Sequence, residues 1–329
     1  VKFGISFNAT LYNQAGALIH IYTDGTLLLN HGGTEMGQGL HTKVAQIVAG
    51  EFSLPVSAIR VTTTDTSKVP NTSATAASSG ADLNGKAAQA AAQTLRQRLI
   101  DWACETWNVG ADAIQFADGF VHVGAERHSF ADFVKQAYAA RISLSATGFY
   151  RTPRIHWDRA RMQGRPFFYF SYGAAVSEVA IDTLTGETRL LRVDILHDVG
   201  KSLNPAIDRG QIEGGYLQGV GWLTTEELWW DPQGNLKTHA PSTYKIPTAR
   251  DWPAATTVRL FDGANREETI HRSKAVGEPP LMLAISALHA IRDAIASCGA
   301  PGCIPDLNAP ATPESVLHGI ASVREGVAA

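Results

Sequence analysis

The chain has 329 residues, 44% of them hydrophobic, enough to bury a sizeable core in one large or two medium domains. A formal net charge of −3 speaks against nucleic acid or an anionic membrane surface as a partner, and no apolar run approaches the roughly 20 residues that span a bilayer. Three cysteines (Cys104, Cys298, Cys303) are too few for a disulfide framework or for a four-cysteine iron–sulfur or zinc site, so a reducing cytoplasm is expected.

Val1-Lys2-Phe3-Gly4-Ile5 reads as a strand, without initiator methionine, signal peptide or presequence, which suggests a domain or fragment. Residues 18–22 and 27–30 read as two strands around the tight turn Asp24-Gly25, and the second ends in His31-Gly32-Gly33. Gly37-Gln38-Gly39 leads into a helix over residues 40–52, and a strand follows at 59–64. The stretch 65–80 is rich in Ser, Thr, Ala and Asn, and a loop of that length inside a domain is usually functional or disordered. A helix is expected at 85–107, a hairpin at 116–123 around Asp118-Gly119, and a helix at 130–140. Residues 151–166 are basic and aperiodic, and the boundary between two halves, 1–155 and 156–329, is placed there.

The second half repeats the plan of the first. Strands at 168–182 and 188–197 flank the turn Thr185-Gly186; the second ends in His197, then Asp198-Val199-Gly200, and Gly210-Gln211 leads into a glycine-bearing helix. The spacings agree loosely, as in a divergent duplication of one βαβ-like unit, although two unrelated hairpin-then-helix units would show the same pattern. Two such units facing each other would put Gln38 and Gln211 on opposite walls of one cleft.

Gly37-Gln38-Gly39 offers backbone N–H groups at a helix N-terminus, a setting suited to phosphate, but it lacks the third glycine of a dinucleotide fingerprint and is equally an ordinary tight turn. Residues 80–87 come within one residue of a P-loop, and Ala87 cannot supply the Mg²⁺-binding hydroxyl, so nucleotide hydrolysis is rejected. Eleven histidines show no metal-ligand spacing. Glu278 stands between Gly277 and Pro279-Pro280, at the mouth of an apolar helix over 281–297. That position suits a helix cap, and it equally suits a rigid, ionised general base.

The strings HGGTEMGQGLHTKVAQ (31–46), VPNTSATAAS (69–78), SLSATGFYRTP (143–153), SLNPAID (202–208) and SKAVGEPP (273–280) resemble the xanthine dehydrogenase/oxidase family, in order and over nearly the whole chain. Related aldehyde oxidases usually carry Gly-Glu-Ser-Gly in place of Gly277-Glu278-Pro279-Pro280, which tilts the resemblance to purines. An aldehyde-oxidising enzyme, or a pterin-binding scaffold without chemistry, is the alternative. The resemblance implies an α+β fold with two βαβ-like subdomains, mixed sheets and flanking helices, the second molybdopterin-binding domain of a molybdenum hydroxylase. It implies that Gln38 with Gly37 and Gly39 holds molybdopterin from one side and Gln211 from the other. Thr75, Ala77 and Ser78 would form the wall beside a molybdenum that the pterin holds and no side chain ligates, with Ala77 near it. Phe7 would stack on a flat purine, with Asn8 beside it where the animal enzymes carry Thr. Glu278 matches the family's glutamate, which takes a proton from a molybdenum-bound hydroxide as it attacks hypoxanthine or xanthine while hydride passes to a terminal sulfide; the final product is urate. The 2Fe–2S clusters, the FAD and the N-terminal half of the molybdenum domain are expected in other parts of the enzyme, which would be a homodimer or a dimer of heterodimers.

Overall fold

A computed structural model describes residues 1–5, 10–69 and 71–325. Strands β1 (Lys2–Ile5), β2 (Gln14–Ile21) and β3 (Leu27–His31) precede helix α1 (Leu40–Phe52) and strand β4 (Ile59–Val61). Helix α2 (Gly80–Trp107) leads to a small sheet of β5 (Ile114–Ala117), β6 (Phe120–Val123) and β7 (Glu126–Ser129), then to helix α3 (Phe130–Ala139) and strand β8 (Ser145–Arg151). A hairpin of β9 (His156–Asp158) and β10 (Gln163–Arg165) comes next, then β11 (Tyr169–Ile181), β12 (Thr188–His197), α4 (Pro205–Thr224) and β13 (Ala255–Leu260). Helices α5 (Ile285–Ala296) and α6 (Pro313–Glu325) close the chain.

Two four-stranded sheets share one plan. In the sheet ordered β8-β2-β3-β4, β2 and β3 form an antiparallel hairpin and α1 carries the chain to β4, parallel to β3. In the sheet ordered β1-β11-β12-β13, β11 and β12 form the hairpin and α4 precedes β13, parallel to β12. An antiparallel edge strand completes each, β8 beside β2 and β1 beside β11. The fold is therefore α+β with two βαβ-like units and mixed sheets. Strand β1, at the start of the chain, belongs to the sheet of the second unit.

Local chemistry explains the elements. The β2–β3 turn is closed by Asp24, whose Oδ1 accepts the Thr26 N–H at 2.9 Å, and Gly25 takes φ +83° there. Helix α2 buries a stripe of small residues (Ala87, Ala88, Ala91, Ala92) followed by Leu95 and Leu99. Small residues are needed because α2 lies directly on β8: a Cβ at Gly148 would stand 2.1 Å from the Ala87 carbonyl oxygen.

Three sequence expectations are corrected. Helix α2 begins at Gly80, five residues before the expected start, so the near P-loop is helical. Packing overrides the poor propensity of its glycines: a Cβ on Gly85 would stand 2.8 Å from Ile47. Helix α4 begins at Pro205, so Gln211 lies two turns inside the helix rather than at its entrance. Asn204 is the cap, accepting the Ile207 N–H at 3.1 Å. Residues 151–166 are not aperiodic. They hold the β9–β10 hairpin, and Arg154 and Arg165 anchor the segment jointly to Glu267.

Candidate cofactor and catalytic site

Four connections converge between the two units: β3 to α1, β4 to α2, β12 to α4, and residues 273–278 leading to α5. They border a cavity of about 320 Å³, whose walls include Gln38, Thr75, Ala77, Ser78, Gln211 and Glu278. Residues expected from positions up to 240 apart in sequence thus meet in one place, and Gly37 and Gly39 flank Gln38 at its rim. Phe7 and Asn8 lie outside the described residues.

The Gly37-Gln38-Gly39 turn is built around Glu35. Its Oε1 accepts the N–H groups of Gly37 and Gly39, each at 2.9 Å, and Oε2 accepts that of His41 at 2.9 Å. Partial burial pushes this carboxyl up, but the three N–H donors outweigh it and hold the group below the usual glutamate range. The amides expected to face a phosphate are thus taken by a carboxylate of the chain itself. Gln38 is also committed locally: its Nε2 donates to the Thr34 carbonyl at 2.8 Å and its Oε1 accepts the Met36 N–H. Gly39 has φ +75°, and a Cβ there would press on Ile207 of α4 at 2.8 Å, so this turn needs glycine to approach the second unit.

On the opposite wall, Ser78 grips Glu278 twice. The Ser78 hydroxyl donates to Glu278 Oε2 at 2.9 Å and accepts the Glu278 N–H at 2.8 Å. Glu278 precedes a 3₁₀ turn, Pro279–Ala284, yet its side chain makes no capping bond. The cap reading fails, because the carboxylate turns to Ser78, and Oε1 has no hydrogen-bond partner among the described residues. Thr75 Oγ1 accepts the Thr34 N–H at 2.8 Å, joining this wall to the Gln38 turn. Ala77 and Ser78 both take left-handed backbone, φ +53° and +54°, and a Cβ at Gly277 would stand 3.1 Å from Ser78 Oγ. Strain of this kind is held in place by surrounding structure and gathers at functional sites.

Sequence reasoning missed the charged floor of the cavity. Lys43 of α1 pairs with Asp208 of α4, both buried, and Ser202 donates to the second carboxylate oxygen of Asp208. Asp82, on the first turn of α2, accepts the Tyr169 hydroxyl at 2.6 Å. Burial pushes the Asp82 carboxyl up to about 7, against the Tyr169 hydrogen bond and the Lys43 charge, which lower it. Lys274 is neutralised by Asp198. In sequence these residues look like ordinary polar faces of helices; the signal that could have placed the start of α4, and with it Asp208, is Asn204-Pro205, a cap residue followed by proline.

Beside the Glu278 carboxylate, the cavity offers a ligand the Gln211 amide, which has no hydrogen-bond partner among the described residues, and the small methyl of Ala77, with open space next to Gly37 at its rim. An unpaired amide beside space for close approach suits a polar heterocycle whose ring edges donate and accept, and the molybdopterin implied by the sequence fits that description. Among the described residues no cluster of three His, Cys, Asp or Glu side chains could hold a metal ion, and no helix is long and apolar enough to cross a membrane.

Comparison with known proteins agrees with the geometry. The chain is 49% identical over 323 residues to xanthine dehydrogenase/oxidase of Felis catus, covering 96% of this chain and 23% of that protein. It is 47% identical over 325 residues to xanthine dehydrogenase of Oryza sativa subsp. japonica, covering 96% and 22%. The chain thus spans under a quarter of these relatives. Among solved structures, quinoline 2-oxidoreductase from Pseudomonas putida 86 matches with a TM-score of 0.83 at 25% identity, over 98% of this chain and 41% of that one. Cu,Mo-CO dehydrogenase matches in fold, with a TM-score of 0.82 at 20% identity over 98% and 40%. Residues 1–253 match the family described as molybdopterin cofactor-binding domain, and with that match running over most of the chain and its cavity shaped as above, the chain belongs to this family.

Proposed function

We propose that the chain forms one side of the active site of a purine hydroxylase that oxidises hypoxanthine and xanthine to urate, with Glu278 as general base. The observation that carries the reading is the placement of Glu278. Its carboxylate enters the same cavity as Gln211 and Ala77, is oriented through Oε2 by Ser78, and leaves Oε1 without a hydrogen-bond partner among the described residues. Gln211 would hold the pterin through its amide, Gly37 and Gly39 would let backbone approach it, and Thr75, Ala77 and Ser78 would wall the metal side. When bound, the molybdenum cofactor supplies oxygen transfer coupled to two-electron oxidation. Glu278 accepts a proton at Oε1 during that step, and Ser78 keeps the carboxylate from swinging away. The chain spans only 22–23% of its relatives, which leaves room in the complete enzyme for the other half of the site and for the iron–sulfur and flavin parts that would carry electrons onward; that enzyme would be a homodimer or dimer of heterodimers.

The test is Glu278→Gln in the complete enzyme, which keeps size and the Ser78 contact but removes the proton acceptor. Reduction by xanthine, followed by stopped-flow, should slow by roughly 10²–10⁴-fold at unchanged molybdenum content. A loaded variant reducing within about tenfold of wild type removes Glu278 from the mechanism.

A further inference from the structure

We propose that Tyr169, held by Asp82, is a positioning residue for Glu278; this rests on the base assignment above. The loop that carries Glu278 is pinned at Ala275 on both of its backbone groups. The Ala275 N–H donates to the Tyr169 hydroxyl oxygen at 2.8 Å, and its carbonyl accepts the Ser171 hydroxyl at 2.9 Å. Tyr169 and Ser171 are two apart on β11 and so share one face of the strand. Having accepted from Ala275, the Tyr169 hydroxyl directs its single proton to Asp82 Oδ2 at 2.6 Å. Asp82 stands four residues after Ser78, and Ser78 grips Glu278. The contacts close a ring, Ser78 to Glu278, back along the chain to Ala275, across to Tyr169, and through Asp82 to α2. Tyr169, Asp82 and Ala275 are all buried, so no water replaces a lost link. A tyrosine serving only the core needs no hydroxyl partner on this loop; this one spends both hydrogen bonds on tying the two walls of the site together.

The experiment uses Tyr169→Phe in the complete enzyme, with two readouts. In cofactor-free protein, amide hydrogen exchange over residues 273–280 should accelerate at least tenfold while α1 and β2 stay protected. In loaded enzyme, kcat with xanthine should fall about tenfold with KM within twofold and molybdenum content intact. Asp82→Asn, which keeps an oxygen acceptor for the phenol, should protect the loop at least threefold better than Asp82→Ala. That pair decides the matter if Tyr169→Phe does not fold. Unchanged loop exchange in Tyr169→Phe, faster exchange with full turnover, or equal exchange in the two Asp82 variants would each overturn the proposal. The exchange result stands whatever Glu278→Gln shows, so a failure of the base assignment is seen separately.

Discussion

Ser78 holds Glu278 from a backbone conformation that disfavours every residue except glycine. At φ +54° a side chain costs roughly 1–2 kcal/mol relative to the right-handed region, and part of this is what glycine would recover. Two substitutions separate strain from hydroxyl. Ser78→Ala and Ser78→Gly both lose the two contacts to Glu278, so both should slow reduction by xanthine about tenfold. Only the glycine variant relaxes the backbone, and it should be more stable than the alanine variant by about 1 kcal/mol in thermal melts. Equal stability of the two would mean that the loop carries no strain at this position. The motif around Glu278 was legible in sequence because glycine and paired prolines punctuate the chain. The Ser78 contact was not, since it joins positions 200 residues apart and depends on how two units meet.

At the scale of elements, the two units are joined through equivalent positions. Lys43 is the fourth residue of α1 and Asp208 the fourth of α4, and their buried pair ties the first turns of the two helices across the cavity floor. Removing one partner strands a buried charge at a cost of about 3–5 kcal/mol, whereas apolar replacement of both is often near neutral. Lys43→Met should therefore destabilise strongly, and adding Asp208→Leu should recover most of the loss. A double variant no more stable than Lys43→Met alone would show that the helices are held by other contacts. The hairpins and α1 could be read from alternation, Asp-Gly turns and helical periodicity, and α1 matches its expected span. The β9–β10 hairpin could not, because its strands are three residues long and rely on Arg154 and Arg165 reaching the distant Glu267. The duplication emerged only dimly in sequence, since the unit repeats a topology rather than a residue pattern.

Across the whole molecule, the repeat leaves one histidine at the end of each central strand, His31 on β3 and His197 on β12, both buried. Among the described residues, both ring nitrogens of His197 and Nε2 of His31 lack hydrogen-bond partners. Burial, resisted by the charge of Glu35 at one and of Asp198 at the other, lowers both from 6.5 to about 4. Asp82 runs the other way, raised by burial to about 7. On acidification from pH 6.5 to 5 the excess of protons that the unfolded chain holds at the histidines therefore grows from about one to nearly two, while it holds about one fewer at Asp82. The net excess of somewhat under one proton in the unfolded state makes stability rise with pH by about 1 kcal/mol per unit below pH 6, and more gently up to pH 6.5. Above pH 6.5 the shrinking histidine excess and the opposite Asp82 contribution nearly cancel, and stability levels off toward pH 7. His197→Leu removes one histidine and fills its site with an apolar side chain, leaving the remaining histidine and Asp82 to cancel. Urea unfolding of the chain at pH 5.0, 5.5, 6.0 and 6.5 should then give midpoints that fall on acidification in the wild type and stay nearly level in the variant. If the variant keeps the wild-type acid slope, His197 is not held neutral by its burial, and the acid sensitivity of the fold lies elsewhere.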